Sequence, residues 1–156
     1  EVGFGPGHLL RDLASAGYRT VGLELSPAML LLAGHRLRRQ QLDIALCRGH
    51  ACALPFTGST FDAVVLTFPT PFVYDPAWMA QLPRVLKAGG KLVVLEMASF
   101  NGSHPVERGL ESLYRITGQR GPVPALPDLL EEAGIVAWRE SVAVDGSTVS
   151  LVLAER

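Results

Sequence analysis

The sequence predicts an α/β fold: an open, mostly parallel sheet with helices on both faces and an antiparallel hairpin strand at its C-terminal end. Two observations favour this class. Helical and strand patterns alternate along most of the 156 residues, and strand patterns such as FDAVVLTF at 61–68 are continuous apolar runs, which parallel sheets bury on both faces. The last two strand patterns are separated only by Asp145–Gly146, a pair typical of a tight hairpin turn.

The first half of the chain predicts two helices and three strands. A helix over 8–17 ends at a glycine. A second helix opens with Ser26 as its N-cap and Pro27 in its first turn, and it carries arginines at its C-terminal end, where cations suit the helix dipole. This second helix is expected over 27–39. The strands are expected at 18–25, 43–49 and 61–68.

The second half continues the alternation and then changes character. A helix is predicted from Asp75–Pro76 to two glycines at 89–90, with a kink or broken start at Pro83. Residues 97–122 are richer in Gly, Ser and Pro. The remaining elements are a strand at 91–97, a short helix within 106–117, a helix at 125–135 stopped by Gly134, and strands at 136–144 and 147–155.

Composition indicates one globular domain with 48% apolar and 19% charged residues. The net charge is −1 and basic residues are scattered except at 36–39, so nucleic acid is not the expected partner. The longest uncharged run, LSPAMLLLAG, is shorter than the ~20 residues that span a bilayer. Cys47 and Cys52 are interpreted as reduced thiols, which predicts a cytoplasmic protein.

The opening residues, EVGFGPG, place glycines at alternate positions where the first strand gives way to the first helix. Ligands of open α/β sheets bind at such carboxyl ends. A phosphate-binding loop would need a Lys followed by Ser or Thr, and a dinucleotide loop would have glycine where His8 stands. The third candidate is S-adenosylmethionine, which has no phosphate.

Further blocks follow in a fixed order. Glu24 ends the second strand about 20 residues past the glycines, where a carboxylate can accept both ribose hydroxyls. GLELSPAML, GHACALPFTGSTFDAVV and LPRVLKAGGKLVVLE come next. Together with EVGFGPG these blocks resemble the class I S-adenosylmethionine-dependent methyltransferases, in the broad group that includes the ubiquinone/menaquinone-biosynthesis-type enzymes. The resemblance implies a Rossmann-like sheet whose last strand inserts antiparallel.

The resemblance also implies roles for particular residues. Glu1 would lie near the methionine ammonium of the cofactor, Glu24 would bind the ribose hydroxyls, and Met29 would pack on the adenine. The glycines would pass the backbone under the cofactor, and Thr67 and Phe68 would border the methyl group. The implied cofactor residues are Glu1, Gly3, Gly5, Gly7, Glu24, Leu25, Met29, His50, Ala51, Thr67 and Phe68.

His50 departs from the family pattern, which has an aspartate that accepts from the adenine amino group. A neutral imidazole can still accept through one nitrogen, but a charged one cannot. The four histidines, at 8, 35, 50 and 104, have no metal-ligand spacing, and no metal is predicted. Methyl transfer from a sulfonium needs alignment and exclusion of water more than a base, so no catalytic residue is assigned.

Phe72 and Tyr74 follow the strand at 61–68 and are candidates for the wall of an apolar acceptor pocket. An N-P-P-Y-type signature is missing, which favours a small organic acceptor over a nucleobase or a glutamine amide. Two other classes stay open at this point: a non-catalytic protein that binds S-adenosylmethionine, and a nicotinamide-dependent oxidoreductase.

Only Glu1 and Val2 precede the first glycine, whereas central strands average about 5–6 residues. The sequence therefore predicts that the domain lacks the start of its first strand. By resemblance, upstream helices that cover the cofactor and shape the acceptor pocket are expected before it.

Overall fold

The computed structural model describes residues 1–100, 126–144 and 147–156, with residues 99–100 described by their backbone alone. Within these ranges the elements follow the predicted alternation. The helices are α1 (His8–Ser15), α2 (Pro27–Arg39), α3 (Pro76–Val85) and α4 (Leu126–Glu132). The strands are β1 (Val21–Glu24), β2 (Ala45–Arg48), β3 (Phe61–Thr67), β4 (Leu86–Phe100), β5 (Val136–Val144) and β6 (Ser147–Glu155).

The strands form a parallel pair, β1–β2, and a four-stranded sheet in the order β3-β4-β6-β5. Residues 1–3 join the two. The Val2 amide donates to the Val65 carbonyl at 3.0 Å, and the Gly3 amide donates to the Leu23 carbonyl at 2.8 Å. The short segment therefore occupies the central position between β1 and β3, as the sequence predicts for a first strand.

The C-terminal strands confirm the predicted antiparallel end of the sheet. β3 and β4 run parallel, whereas β6 pairs antiparallel with both β4 and β5. The hairpin strands match the predicted ranges 136–144 and 147–155. Their turn, Asp145–Gly146, lies outside the described residues, as do the predicted short helix within 106–117 and His104.

Helices cover both faces of the sheet because strand side chains alternate between the faces. Leu23 of β1 belongs to the larger core, which α3 and α4 complete with Trp78, Leu82 and Leu130. The backbone of the adjacent Gly22 faces Phe4 and Leu10, which form a smaller core with Ala33 of α2. The predicted open sheet with helices on two sides is confirmed.

The predicted boundary between α3 and β4 is wrong. The helix expected to reach the glycines at 89–90 ends at Val85, and β4 begins at Leu86, which pairs with Phe61. The amides of Ser59 and Thr60 donate to the last helical carbonyls, of Arg84 and Val85, at 2.8 and 2.9 Å. These bonds supply the partners that helix ends otherwise lack, so the chain can leave the helix before the glycines.

None of the helices in the described ranges has the length and apolar character needed to cross a membrane. The expectation that further strand and helices precede residue 1 stays a prediction.

Candidate functional site

A cleft of about 560 Å³ lies at the carboxyl ends of β1 and β3 and beside the segment 1–3. This is the crevice in which open α/β sheets bind their ligands. Eight of the predicted site residues line it. They are Gly3, Glu24, Leu25, His50, Ala51, Thr67, Phe68 and Phe72.

Glu24 ends β1, and both of its carboxylate oxygens are engaged by backbone amides. Oε2 accepts from the Gly5 amide and Oε1 from the Ser26 amide, each at 2.9 Å. A carboxylate offers about four acceptor sites, so capacity for two further donors is left. The carboxylate therefore ties the glycine loop to the start of α2 and is held in one orientation beside the cleft.

The glycine loop has two different functions within seven residues. Gly3 and Gly5 adopt φ values of +72° and +50°, and a Cβ on either would meet nothing within 4 Å. Gly7 also has a positive φ, but a Cβ there would lie 2.9 Å from the Ala33 Cβ of α2. Gly3 and Gly5 thus leave open space for a ligand, whereas Gly7 permits close packing of α1 against α2.

Gly5 and Gly7 are absent from the cleft lining, so of the three predicted glycines only Gly3 reaches the cleft directly. The close packing expected of a third glycine in a dinucleotide loop is here supplied by Gly7. The change of position explains why His8 is tolerated where that third glycine would stand.

Glu1 lies next to the cleft rather than in its lining. Its Oε1 accepts from the Thr67 hydroxyl at 3.2 Å, while Oε2 is buried without a hydrogen-bond partner among the described residues. Burial raises the pKa of the Glu1 carboxyl above its ordinary value. A buried acceptor without a donor fits the ammonium group that the resemblance assigns to this position.

His50 caps the short 3₁₀ turn Ala51–Ala53, because its Nδ1 accepts from the Cys52 amide at 3.2 Å. In a neutral imidazole one nitrogen accepts and the other carries the proton. This bond therefore assigns the proton to Nε2, which makes the free nitrogen a donor. The predicted acceptance from the adenine amino group would need the opposite tautomer and would break the cap.

Phe68 follows β3 in a left-handed backbone conformation with a φ of +47°, and its amide donates to the Leu95 carbonyl at 2.8 Å. A bulky residue with positive φ is an outlier, and such outliers cluster at functional sites. The turn exposes 59% of the residue at the cleft, beside Thr67 and Pro69.

Two other predicted site residues lie elsewhere. Met29, in the first turn of α2, is 39% exposed and is not part of the cleft lining. Tyr74 lines a second, smaller pocket of about 140 Å³ instead. The two pockets share Pro69, so they are neighbours on either side of the turn after β3.

Sequence reasoning missed several residues of the cleft. Gly49 is the most informative, because a Cβ at this position would lie 2.8 Å from a Leu23 methyl carbon. A glycine directly after a strand is the signal that could have found it. The other lining residues without a predicted role are Val2, Leu23, Ser26, Pro27, Pro69 and Thr70. Across the described ranges, His, Cys, Asp and Glu form no group that could hold a metal ion.

The fold and this cleft define a Rossmann-like domain that binds its ligand at the carboxyl ends of parallel strands. A family model described as a methyltransferase domain matches residues 1–94. The chain belongs to this methyltransferase-domain family, and the resemblance stated from the sequence is confirmed.

Known proteins agree with that assignment. The chain is 36% identical over 115 residues to a demethylmenaquinone methyltransferase of Renibacterium salmoninarum. The aligned region covers 73% of this chain and 45% of that protein. The chain thus matches about half the length of that curated relative.

Solved structures share the fold. An S-adenosylmethionine-dependent methyltransferase of Methanosarcina mazei superposes with a TM-score of 0.68 at 20% identity, over 99% of this chain and 90% of that one. Phosphoethanolamine N-methyltransferase 2 of Haemonchus contortus, solved with S-adenosyl-L-methionine, gives 0.72 at 17% identity, over 99% and 47%. At these identities the likeness establishes the fold alone.

Proposed function

We propose that the chain binds S-adenosylmethionine in the cleft and transfers its methyl group to a small organic acceptor. The observation that carries this proposal is the Glu24 carboxylate, which two backbone amides hold at the cleft while it keeps capacity for two more donors. Vicinal ribose hydroxyls are such a pair of donors. Bound S-adenosylmethionine supplies a methyl group already activated by its sulfonium.

The residues of this chain then have three tasks. Glu1 accepts from the methionine ammonium through its buried Oε2. Gly3 and Gly5 leave room above the loop for the cofactor. Phe68 and Phe72 form an apolar wall beside the end of β3, where they exclude water and align the acceptor with the methyl group.

The name of the relatives makes demethylmenaquinone the first acceptor to test. Its apolar ring system suits the aromatic wall better than a strongly charged acceptor would. The cytoplasm is the proposed compartment, which the free thiols Cys47 and Cys52 support.

The test is a calorimetric titration with S-adenosylmethionine, S-adenosylhomocysteine and NADH, followed by transfer of a labelled methyl group to demethylmenaquinone and to a panel of small acceptors. We expect the first two ligands to bind and NADH to bind at least about tenfold more weakly. Tighter binding of NADH would favour an oxidoreductase. Binding of S-adenosylmethionine without transfer to any acceptor would favour a non-catalytic binding protein.

A further inference from the structure

A second carboxylate, that of Glu96, stands in β4 next to Leu95, which pairs with the last residue of β3. The register between β4 and β6 shifts between Leu95 and Met97, so Glu96 is the extra residue of a β-bulge. Bulges are enriched beside active sites, where they direct a side chain away from the regular pleat. Because Thr67 pairs with Leu95, this bulge lies level with the end of β3 and therefore with the cleft.

The Glu96 side chain points into the molecule. It follows Leu92 and Val94 at the two-residue spacing of one strand face, and those two residues are each 1% exposed. The Glu96 side chain itself is only 8% exposed. A carboxylate so far from water needs strong partners, or its burial is costly.

Those partners come from β6, which neighbours β4, and from β5, which lies beyond β6. Arg139 of β5 donates from Nε to Oε2 at 3.0 Å and from Nη2 to Oε1 at 3.2 Å, while the Ser150 hydroxyl of β6 lies 3.5 Å from Oε2. Arg139 follows Ala137 and Ser150 precedes Val152, both buried. Glu96 and Ser150 thus lie one step beyond Val94 and Val152 on the same face, and Arg139, which is level with Val94 and Val152, reaches Glu96 from β5.

Glu96 lines the smaller pocket together with Tyr74, Val94 and Pro69. Burial raises the pKa of the Tyr74 hydroxyl, and the Glu96 carboxylate raises it further, whereas the Arg139 guanidinium lowers it. Tyr74 is therefore a protonated donor at neutral pH. The pocket offers a carboxylate acceptor and a phenolic donor next to the turn that carries Phe68.

We propose that this pocket, with Glu96 as its specificity-determining residue, holds a hydroxyl group of the methyl acceptor. Glu96 accepts a hydrogen bond from this hydroxyl group, and the Tyr74 hydroxyl donates one to its oxygen. An ionised carboxylate has no proton to donate to Glu96 and is therefore disfavoured. The proposal rests on the proposed methyltransferase function, because only then does the neighbouring cleft hold the second reactant.

The test measures binding rather than turnover. The protein is saturated with S-adenosylhomocysteine and titrated with phenol, anisole and benzoate, with the Arg139 Nε–H NMR resonance as the local reporter. We expect phenol to bind about tenfold more tightly than anisole, which lacks the donor, and benzoate to leave the resonance unshifted. In Glu96→Gln the preference for phenol should fall below about threefold, with affinity for S-adenosylhomocysteine within twofold of the wild type.

Asp62→Asn is the matched control, because Asp62 is also a carboxylate paired with a cation but its side chain is 85% exposed. It should retain the full preference for phenol. If Glu96→Gln does not fold, the double variant Glu96→Gln/Arg139→Gln replaces the ion pair by an amide pair. Because this variant lacks the Arg139 reporter, its affinities for phenol and anisole are measured by calorimetric titration instead. Equal binding of phenol and anisole to the wild type, or an unchanged preference in the folded variant, overturns this proposal. If the wild-type protein does not bind S-adenosylhomocysteine, the proposed function itself is overturned.

Discussion

Glu24 ends β1 and Glu96 lies in β4 level with the end of β3, yet the protein holds the two carboxylates in different ways. Glu24 is held by the amides of Ser26 and Gly5, which are 2 and 19 residues away. Glu96 is held by Arg139 and Ser150, which are 43 and 54 residues away. The first carboxylate is positioned by local backbone, whereas the second depends on strands that join the sheet much later in the chain.

The comparison separates two kinds of site in one sheet. A carboxylate fixed by backbone amides keeps its full negative charge, because amides are neutral donors, whereas one fixed by a guanidinium has that charge largely balanced. Both carboxylates are proposed to accept from hydroxyl groups, those of the ribose at Glu24 and that of the methyl acceptor at Glu96. The unbalanced charge makes the hydrogen bonds at Glu24 the stronger ones.

The largest expected effect tests the local site. Glu24→Ala removes the acceptor of two ribose hydroxyls, each bond contributing roughly 1.5–3 kcal/mol. Affinity for S-adenosylmethionine should fall at least about 100-fold in a calorimetric titration. Glu24→Gln, which keeps one acceptor oxygen, should lose about tenfold. Unchanged affinity in Glu24→Ala would remove this residue from the site.

The difference in partners explains what the sequence could predict. Helix α2 was predicted with its observed bounds, 27–39, because its N-cap, its first-turn proline and its C-terminal arginines are all local signals. Glu24 was predicted for a similar reason, since its distance from the glycines is readable along the chain. Glu96 stands in the quoted block LVVLE, but nothing local distinguishes it from a solvated charge at a strand end.

Errors at other residues have equally physical causes. Gly89 and Gly90 were interpreted as a helix stop, but the helix had already ended because Ser59 and Thr60 satisfy its last carbonyls. The packing of Gly7 against Ala33, which lies 26 residues further on, is likewise not readable along the chain. Both features depend on tertiary contacts that a local interpretation misses.

A stability measurement sharpens the comparison at Glu96, whose partners are distant in sequence. Arg139→Gln leaves the mostly buried Glu96 carboxylate without its cation, and because Arg139 is itself 41% exposed we expect a loss of about 1–3 kcal/mol in urea unfolding. Lys87→Gln is the control, because its partner Asp62 is 85% exposed and solvent screens such a pair, so a much smaller loss is expected. Equal losses in the two variants would mean that the Glu96 pair is no more than a surface contact.

A smaller effect is expected from protonation of the Glu1 carboxyl beside the cleft. Burial raises the pKa of the Glu1 carboxyl from its ordinary 4.5, so near that pH the free protein holds more protonated Glu1 than the unfolded chain does. A ligand ammonium favours the carboxylate and lowers this pKa. Binding of S-adenosylhomocysteine should therefore release a proton in mildly acidic buffer, and affinity should fall as pH drops through the raised pKa.

The raised pKa of Glu1 also determines how the stability of the folded protein changes with pH. A raised pKa in the folded state means that the contribution of Glu1 to stability is present below pH 4.5 and is lost as pH rises through the folded value. Glu1→Gln should remove both effects, which calorimetry in buffers of different ionisation enthalpy and urea unfolding at several pH values would measure. If proton release persists in Glu1→Gln, the released proton comes from another group.

The smallest expected effect is at His50, where the local hydrogen bond and the family pattern disagree. The Nδ1 bond to the Cys52 amide makes Nε2 a donor, so it opposes the adenine amino group, which is also a donor. His50→Asp keeps an acceptor for that amide and offers a second oxygen to the adenine. We expect affinity for S-adenosylmethionine to rise about three- to tenfold with an unchanged melting temperature. His50→Asn, which also caps the turn but carries no charge, should give a smaller rise. If both variants bind like the wild type, His50 only caps the turn at 51–53, and the adenine amino group is recognised by other groups of the cleft.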